Sequence, residues 1–309
     1  MTKLAYVFPG QGSQSVGMLS DIESSVAETF AEASVVVGYD LWKLISQDPD
    51  NRLNQTEYTQ PAMLASSIAL YRLAQKQGIP VPHVVAGHSL GEYSALVAAD
   101  VLQFSDAVAL VQQRGRFMQA AVPLGQGGMA AVIGLSDDKV REACEAAGRG
   151  EVVQAANYNA PGQVVISGSI SAVGRSIKAC KAAGAKRSVA LSASAPFHSA
   201  LMEPAAKKMA VVLESVNFSF PKVKVVQNID AAIHDEPKII KENLIAQICG
   251  AVRWTDTIRT FGEMGVKTLV ECGPGKVLTG LVKRTDRSMV TCPIESFESI
   301  SETRKALGL

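Results

Sequence analysis

Short apolar runs alternate with longer amphipathic stretches along this chain. "LAYVF" (4–8), "HVVAG" (83–87), "KVKVVQN" (222–228) and "VKTLVEC" (266–272) each run into a loop containing Gly or Asn. Runs of this length between amphipathic helices predict an α/β domain built on a mostly parallel, buried sheet. The middle reads differently. After the flexible "PLGQGG" (123–128) come strand "MAAVIGL", helix "SDDKVREACEAAG", strand "VVQAANYN", a Pro161-Gly162 turn, strand "QVVISGS", helix "ISAVGRSIKACKAAG" and strand "RSVALS". That order, βαββαβ, is ferredoxin-like. It ends at "ASAPFH", where Pro196 marks the return of the chain. The pattern predicts a small ferredoxin-like domain over 126–193, inserted into a large α/β-hydrolase-like domain made of 1–125 and 194–309. A cleft between the two is the expected ligand site.

Composition narrows the function. With 309 residues, 47% of them hydrophobic, the chain can bury a full core. Thirty basic residues against twenty-nine acidic ones give no global field for a polyanion, so no nucleic-acid partner is expected. Cys144, Cys180, Cys249, Cys272 and Cys292 are odd in number, scattered and without a CxxC pair, which argues against a disulfide framework and a structural zinc. A reducing cytoplasm and no metal are the expectations. The apolar stretch before Pro9 is too short for a signal sequence or a membrane span, so no membrane partner is expected.

The chemistry begins with "VVAGHSLGEYSAL" (84–96), a GxSxG between a strand candidate and a helix candidate. This is the setting of a nucleophile elbow, in which Gly87 and Gly91 clear room for a sharp turn and the helix N-terminus faces a developing oxyanion. Ser89 is then the nucleophile; the alternative is an ordinary capping serine. His88 is adjacent but points elsewhere from a tight turn, supporting it from behind. His83 precedes the strand and His234 sits in a polar loop. His198, in "SASAPFHSALM", follows the domain crossover with no helical or strand periodicity, and it is the candidate base. Asp230, Asp235 and Asp256 read as loop residues, so a Ser–His dyad oriented by an amide or a backbone carbonyl is the simpler expectation.

The segment 105–122 reads as a helix capped by Ser105. Gln112, Gln113, Arg116 and Gln119 form its polar face, whereas Arg114 shares a stripe with Ala107, Val111, Met118 and Val122. An inward arginine needs an anion. That anion is either a structural Asp or Glu or a substrate carboxylate held bidentately. Gly115 beside it leaves room for another backbone or a ligand. "ECGPGKVLTG" resembles a phosphate loop only superficially, because Val277 stands where Ser or Thr is needed and the glycine spacing is wrong; it reads as a tight strand-to-helix connection.

"FPGQGSQ", "TQPAMLASSIAL", "GHSLGEYSAL", "QQRGRFMQ", "NYNAPGQVVISG", "PFHSALM" and "ECGPGKVLTGL" run in this order along the chain. Together they resemble the bacterial malonyl-CoA:acyl carrier protein transacylases of type II fatty-acid synthesis. The resemblance implies that Ser89 is malonylated, His198 is its base and Arg114 binds the malonyl carboxylate. It implies an oxyanion hole from the backbone N–H groups of Gln11 and Leu90, Met118 and Phe197 against the substrate, and Gln247 orienting His198. Malonyl-CoA and acyl carrier protein are the implied partners, with coenzyme A and phosphopantetheine entering as parts of substrates and no resident cofactor. Carriers of this kind are acidic, which makes Lys186, Arg187, Lys276, Lys283, Arg284 and Arg287 candidate contacts. The rival readings are a serine thioesterase or esterase, and a silent carrier-binding module.

Overall fold

A computed structural model describes residues 3–309. In chain order, β1 (Lys3–Phe8) leads into helices α1 (Glu23–Val37), α2 (Leu41–Gln47) and α3 (Thr56–Lys76); β2 (Val84–Gly87) leads into α4 (Gly91–Ala98) and α5 (Phe104–Ala120). Next come β3 (Gly127–Ile133), α6 (Asp137–Gly148), β4 (Val153–Ala160), β5 (Gln163–Ser169), α7 (Ile170–Ala182) and β6 (Arg187–Leu191). The remainder is α8 (Glu203–Glu214), β7 (Lys224–Val226), α9 (Pro237–Cys249), α10 (Trp254–Glu263), β8 (Val266–Cys272), α11 (Val277–Thr285), β9 (Val290–Ile294) and α12 (Phe297–Ala306).

The first sheet has the order β7-β2-β1-β8-β9, and every pairing in it is parallel. β1 explains why such strands lack polar alternation. Its Leu4, Tyr6 and Phe8 join a core with residues of α1, α3, α4 and α5, while Ala5 and Val7 join a second core with Trp254, Ile258 and Phe261 of α10 and Leu278, Leu281 and Val282 of α11. Both faces of the strand are covered by helices, so both must be apolar.

The second sheet is antiparallel, with the order β4-β5-β3-β6. α6 and α7 cover one face through Val140, Cys144, Val173 and Cys180. The other face presents Met129, Ala156 and Val165 towards Phe197. Its edge strand β4 is not left bare. Tyr158 N–H donates to Val252 O and Val252 N–H to Ala156 O, both at 2.9 Å, so the segment after α9 completes the ladder.

The fold is mixed α/β as the pattern predicts, with differences of detail. α5 starts at Phe104 after Gln103, no side chain caps it, and Ser105 sits in its first turn; Val122 lies past its end. Asp256 is in the first turn of α10, paired with Arg253 and Arg259, rather than in a loop. β9 was not among the expected strands. It is an edge strand carrying Pro293, a residue that argues against a strand when the sequence is read alone.

Candidate active site

The elbow is built by exclusion of side chains. A Cβ on Gly87 would lie 1.8 Å from the Gly91 carbonyl, and one on Gly91 would lie 2.1 Å from Phe8 O. Only glycine lets β2, the turn and α4 approach this closely. Ser89 between them has φ 53°, a left-handed conformation that L-residues adopt at a cost. Asn228 holds it there, accepting from Ser89 N–H at 2.6 Å and donating from its amide to Gly87 O at 2.6 Å. The strained turn lifts Ser89 Oγ towards a second left-handed residue, His198, with φ 57°.

Ser89 Oγ lies 2.7 Å from His198 Nε2. On the other side of the ring, His198 Nδ1 lies 2.8 Å from the backbone carbonyl of Gln247. A carbonyl only accepts, so Nδ1 carries the proton and Nε2 offers its lone pair to the serine hydroxyl. The orienting group is thus the Gln247 main chain, with no carboxylate in contact. His198 is buried, and burial, reinforced by the Arg114 charge, brings its pKa down to about 3. The imidazole stays neutral.

Arg114 points inward and is 1% exposed. Its Nη1 donates to Gln60 Oε1 at 3.0 Å, and its Nη2 to Gln247 Oε1 at 2.9 Å and Ser89 Oγ at 3.3 Å; Nε has no partner. Of the two anions left open by the helix pattern, no carboxylate touches the guanidinium. Gly115 brings in backbone: a Cβ there would lie 2.7 Å from Glu57 Cα in α3, the helix that supplies Gln60.

A cavity of ≈ 600 Å³ covers these groups. Gln11, Ser89, Leu90, Arg114 and Met118 line it from the parallel-sheet side, and Met129, Asn157, Asn159, Val165 and Leu191 from the antiparallel side. Phe197 and His198, on the segment crossing between, complete the wall. The backbone N–H groups of Gln11 and Leu90 have no protein acceptor among the described residues. His88 turns away from Ser89, with Nε2 2.8 Å from Asn159 Oδ1 and its ring against Trp254. His83 contacts the Leu4 backbone, and His234 pairs with Asp230 at 2.7 Å.

"ECGPGKVLTG" is the connection from β8 to α11, and Glu271 occupies its helix end: Leu278 N–H and Thr279 N–H donate to the carboxylate at 2.9 and 2.7 Å. Of the basic candidates, Lys276 pairs with Glu295 at 3.4 Å and Arg284 with Gln163 of β5. Among the described residues no group of three or more His, Cys, Asp or Glu is gathered to hold a metal, and no helix is long and apolar enough to cross a membrane.

Three site residues escaped the sequence reading. Asn228 lies two residues past β7, and the carboxyl ends of parallel strands are where α/β sites form, so that signal was present. Gln60 is buried in α3 among other buried polar residues, Thr56, Thr59, Ser66 and Ser67, so the local pattern does not single it out. Glu92 is a buried carboxylate in "EYSALVAA", and its burial pushes it up to about 7 against the pull of donors from Gln227, Asn228 and Gln247 and the charge of Arg114.

Comparison with known proteins gives one answer. The model of the acyl transferase domain family matches residues 5–308. The malonyl CoA-acyl carrier protein transacylase of Escherichia coli K12 is 55% identical over 287 residues, 92% of this chain and 93% of that protein. That of Bacillus subtilis is 42% identical, covering 97% and 96%. An acyl carrier protein S-malonyltransferase from Vibrio cholerae superposes with a TM-score of 0.96 at 49% identity, covering 98% and 100%. A malonyl-transacylase solved in complex with its type II PKS acyl-carrier protein gives 0.97 at 48%, covering 99% and 100%. On a match that spans nearly its whole length, this chain belongs to the acyl transferase domain family and, within it, to the malonyl CoA-acyl carrier protein transacylases.

Proposed function

We propose that the protein moves a malonyl group from malonyl-CoA to the pantetheine thiol of an acyl carrier protein, through a malonyl ester on Ser89, in the cytoplasm. His198 takes the serine proton as Oγ attacks the thioester carbonyl, and returns it to the departing coenzyme A sulfur. The carrier thiol then gives its proton to the same nitrogen, attacks the ester and leaves as malonyl thioester, with the serine hydroxyl restored. The amides of Gln11 and Leu90 receive the oxyanion at each step. Met118 and Phe197 bound the acyl group. No resident cofactor enters this cycle.

The observation that carries this reading is Arg114. It is buried, 3.3 Å from the Ser89 hydroxyl, held by the neutral amides of Gln60 and Gln247 and by the Tyr93 ring, and carries an unused N–H. A guanidinium kept clear of protein carboxylates in this way is suited to a carboxylate on the acyl group itself. The same clamp favours transfer over hydrolysis, because an anchored acyl chain fills the space in which water would line up. α11 contributes Leu278 and Leu281 to the cavity and carries the exposed Lys283 and Arg284 in its last turn, cationic residues suited to an acidic carrier.

Intact-mass measurement after rapid mixing with malonyl-CoA tests the reading. One malonyl group is expected on the protein, persisting in buffer for many turnover times and discharging promptly to holo carrier protein or free pantetheine. An adduct that hydrolyses as fast as it transfers identifies a thioesterase instead.

A further inference from the structure

A buried guanidinium with no carboxylate in contact raises the question of what balances its charge before substrate arrives. Glu92 is the nearest answer. It is fully buried, and its carboxylate takes Gln227 Nε2 at 3.0 Å on one oxygen, and Asn228 N–H and Gln247 Nε2, both at 2.9 Å, on the other. All three partners are donors, which is the set an ionised carboxylate satisfies. The amide of Gln247 then continues the line: its NH₂ faces Glu92 and Ser89 O, and its oxygen accepts from Arg114 Nη2. The amide cannot turn over, because its oxygen would meet the Ser89 carbonyl and the Glu92 carboxylate, and its NH₂ would meet the guanidinium.

We propose that Glu92 and Arg114 form an ion pair relayed through the side-chain amide of Gln247, and that the relay is what makes Arg114 a selective receptor for a carboxylate. This inference rests on the malonyl-transfer reading. A glutamate in direct contact would compensate Arg114 fully and compete with the substrate for the same N–H groups. With no carboxylate nearby, the empty site would bury a bare cation. One amide of separation gives partial compensation and places no carboxylate on the guanidinium, whose Nε–H remains without a partner. Glu92 is thus a positioning and charge-setting residue that never touches the acyl group.

The relay makes a signed prediction that a merely structural glutamate does not. Removing the Glu92 charge removes a repulsion that the malonyl carboxylate must overcome on entering, so Glu92→Gln should destabilise the empty protein yet bind malonyl-CoA more tightly. The measurement is calorimetric affinity in a Ser89→Ala background, where ligand binds without reacting, made well above pH 7 so that Glu92 carries its charge. Relative to Ser89→Ala alone, adding Glu92→Gln should tighten malonyl-CoA about fivefold or more and leave acetyl-CoA unchanged. Unchanged or weaker malonyl-CoA binding overturns the relay, as does equal tightening of both thioesters. If that variant does not accumulate as folded protein, the exchange variant Glu92→Gln with Gln247→Glu decides. It moves the same charge into contact with Arg114, and malonyl-CoA should then bind no better than acetyl-CoA; a retained preference overturns the relay. A Ser89→Ala protein that itself does not favour malonyl-CoA over acetyl-CoA removes the functional reading, and this inference with it.

Discussion

Two strand-to-helix connections leave the parallel sheet on either side of β1, from β2 to α4 and from β8 to α11. Both are short, glycine-rich and end at the N-terminus of a helix. At α4 the amide of Leu90 opens on the cavity, beside Ser89. At α11 the leading amides are bound to Glu271, whose carboxylate is buried and pushed up by that burial. The difference traces to one register row: Val7 of β1 pairs with Ala86 of β2 on one side and with Glu271 of β8 on the other. A carboxylate one residue before the strand end, Glu271 of β8, occupies the helix end that follows, whereas Ala86 at the matching place in β2 leaves it for a ligand. Glycines make either turn possible and do not decide between them.

The largest effect should come from disabling the open connection. Ser89→Ala should give no malonyl adduct and lower transfer by roughly 10⁴-fold or more, measured by intact mass and steady-state rates. Arg114→Ala asks whether that open end is matched to a charged cargo. Malonyl transfer should lose about 2 to 5 kcal/mol in kcat/KM while acetyl transfer is unchanged or improved; equal losses would make the arginine structural.

The filled connection should behave in the opposite way. Glu271→Gln turns a donor towards the α11 amides and should cost about 1 to 3 kcal/mol in denaturant unfolding, with the acylation rate of the remaining folded protein intact. A loss of acylation without loss of stability would erase the distinction between the two helix ends. The smallest effect is in the pH profile. His198 is held down near 3 in the fold against its ordinary value of 6.5, so acylation at saturating malonyl-CoA should show no histidine step between pH 7.5 and about 5. The affinity for malonyl-CoA should rise as pH falls through about 7 and Glu92 takes up a proton. The sign for stability follows. A depressed histidine contributes stability that is fully present above pH 6.5 and is lost as pH falls towards 3, so unfolding should become easier across that window in titration calorimetry.

The sequence was legible where local rules are strong. Runs such as "LAYVF" became strands because both faces are covered, and Gly87 and Gly91 announced the elbow because no side chain fits there. The inward Arg114 was readable from its helical stripe, since α5 packs on α3 along that face. The assembly around it was not. Gln60, Asn228 and Glu92 come from separate elements, α3, the end of β7 and α4, and nothing local in their neighbourhoods says that they meet. The left-handed turn at His198 was equally invisible, because Pro196 restricts its own vicinity without specifying the sign of φ two residues later. His198 was reachable by its place after the domain crossover and by elimination of the other histidines, with the family motif in agreement, whereas three-dimensional contacts were required for Glu92.

The sheet order has a consequence for synthesis. β1 sits at the centre of the parallel sheet, yet its partner β8 is encoded almost at the far end of the chain. While the ribosome makes everything between Phe8 and Val266, one edge of β1 has no strand to pair with. The four strands of the antiparallel sheet come from consecutive residues between 127 and 191 and need no such wait. Nascent chains stalled after β6 has cleared the ribosome but before β8 is made should therefore resist protease across β3–β6 while β1 is still cut, and only release past β8 should protect both.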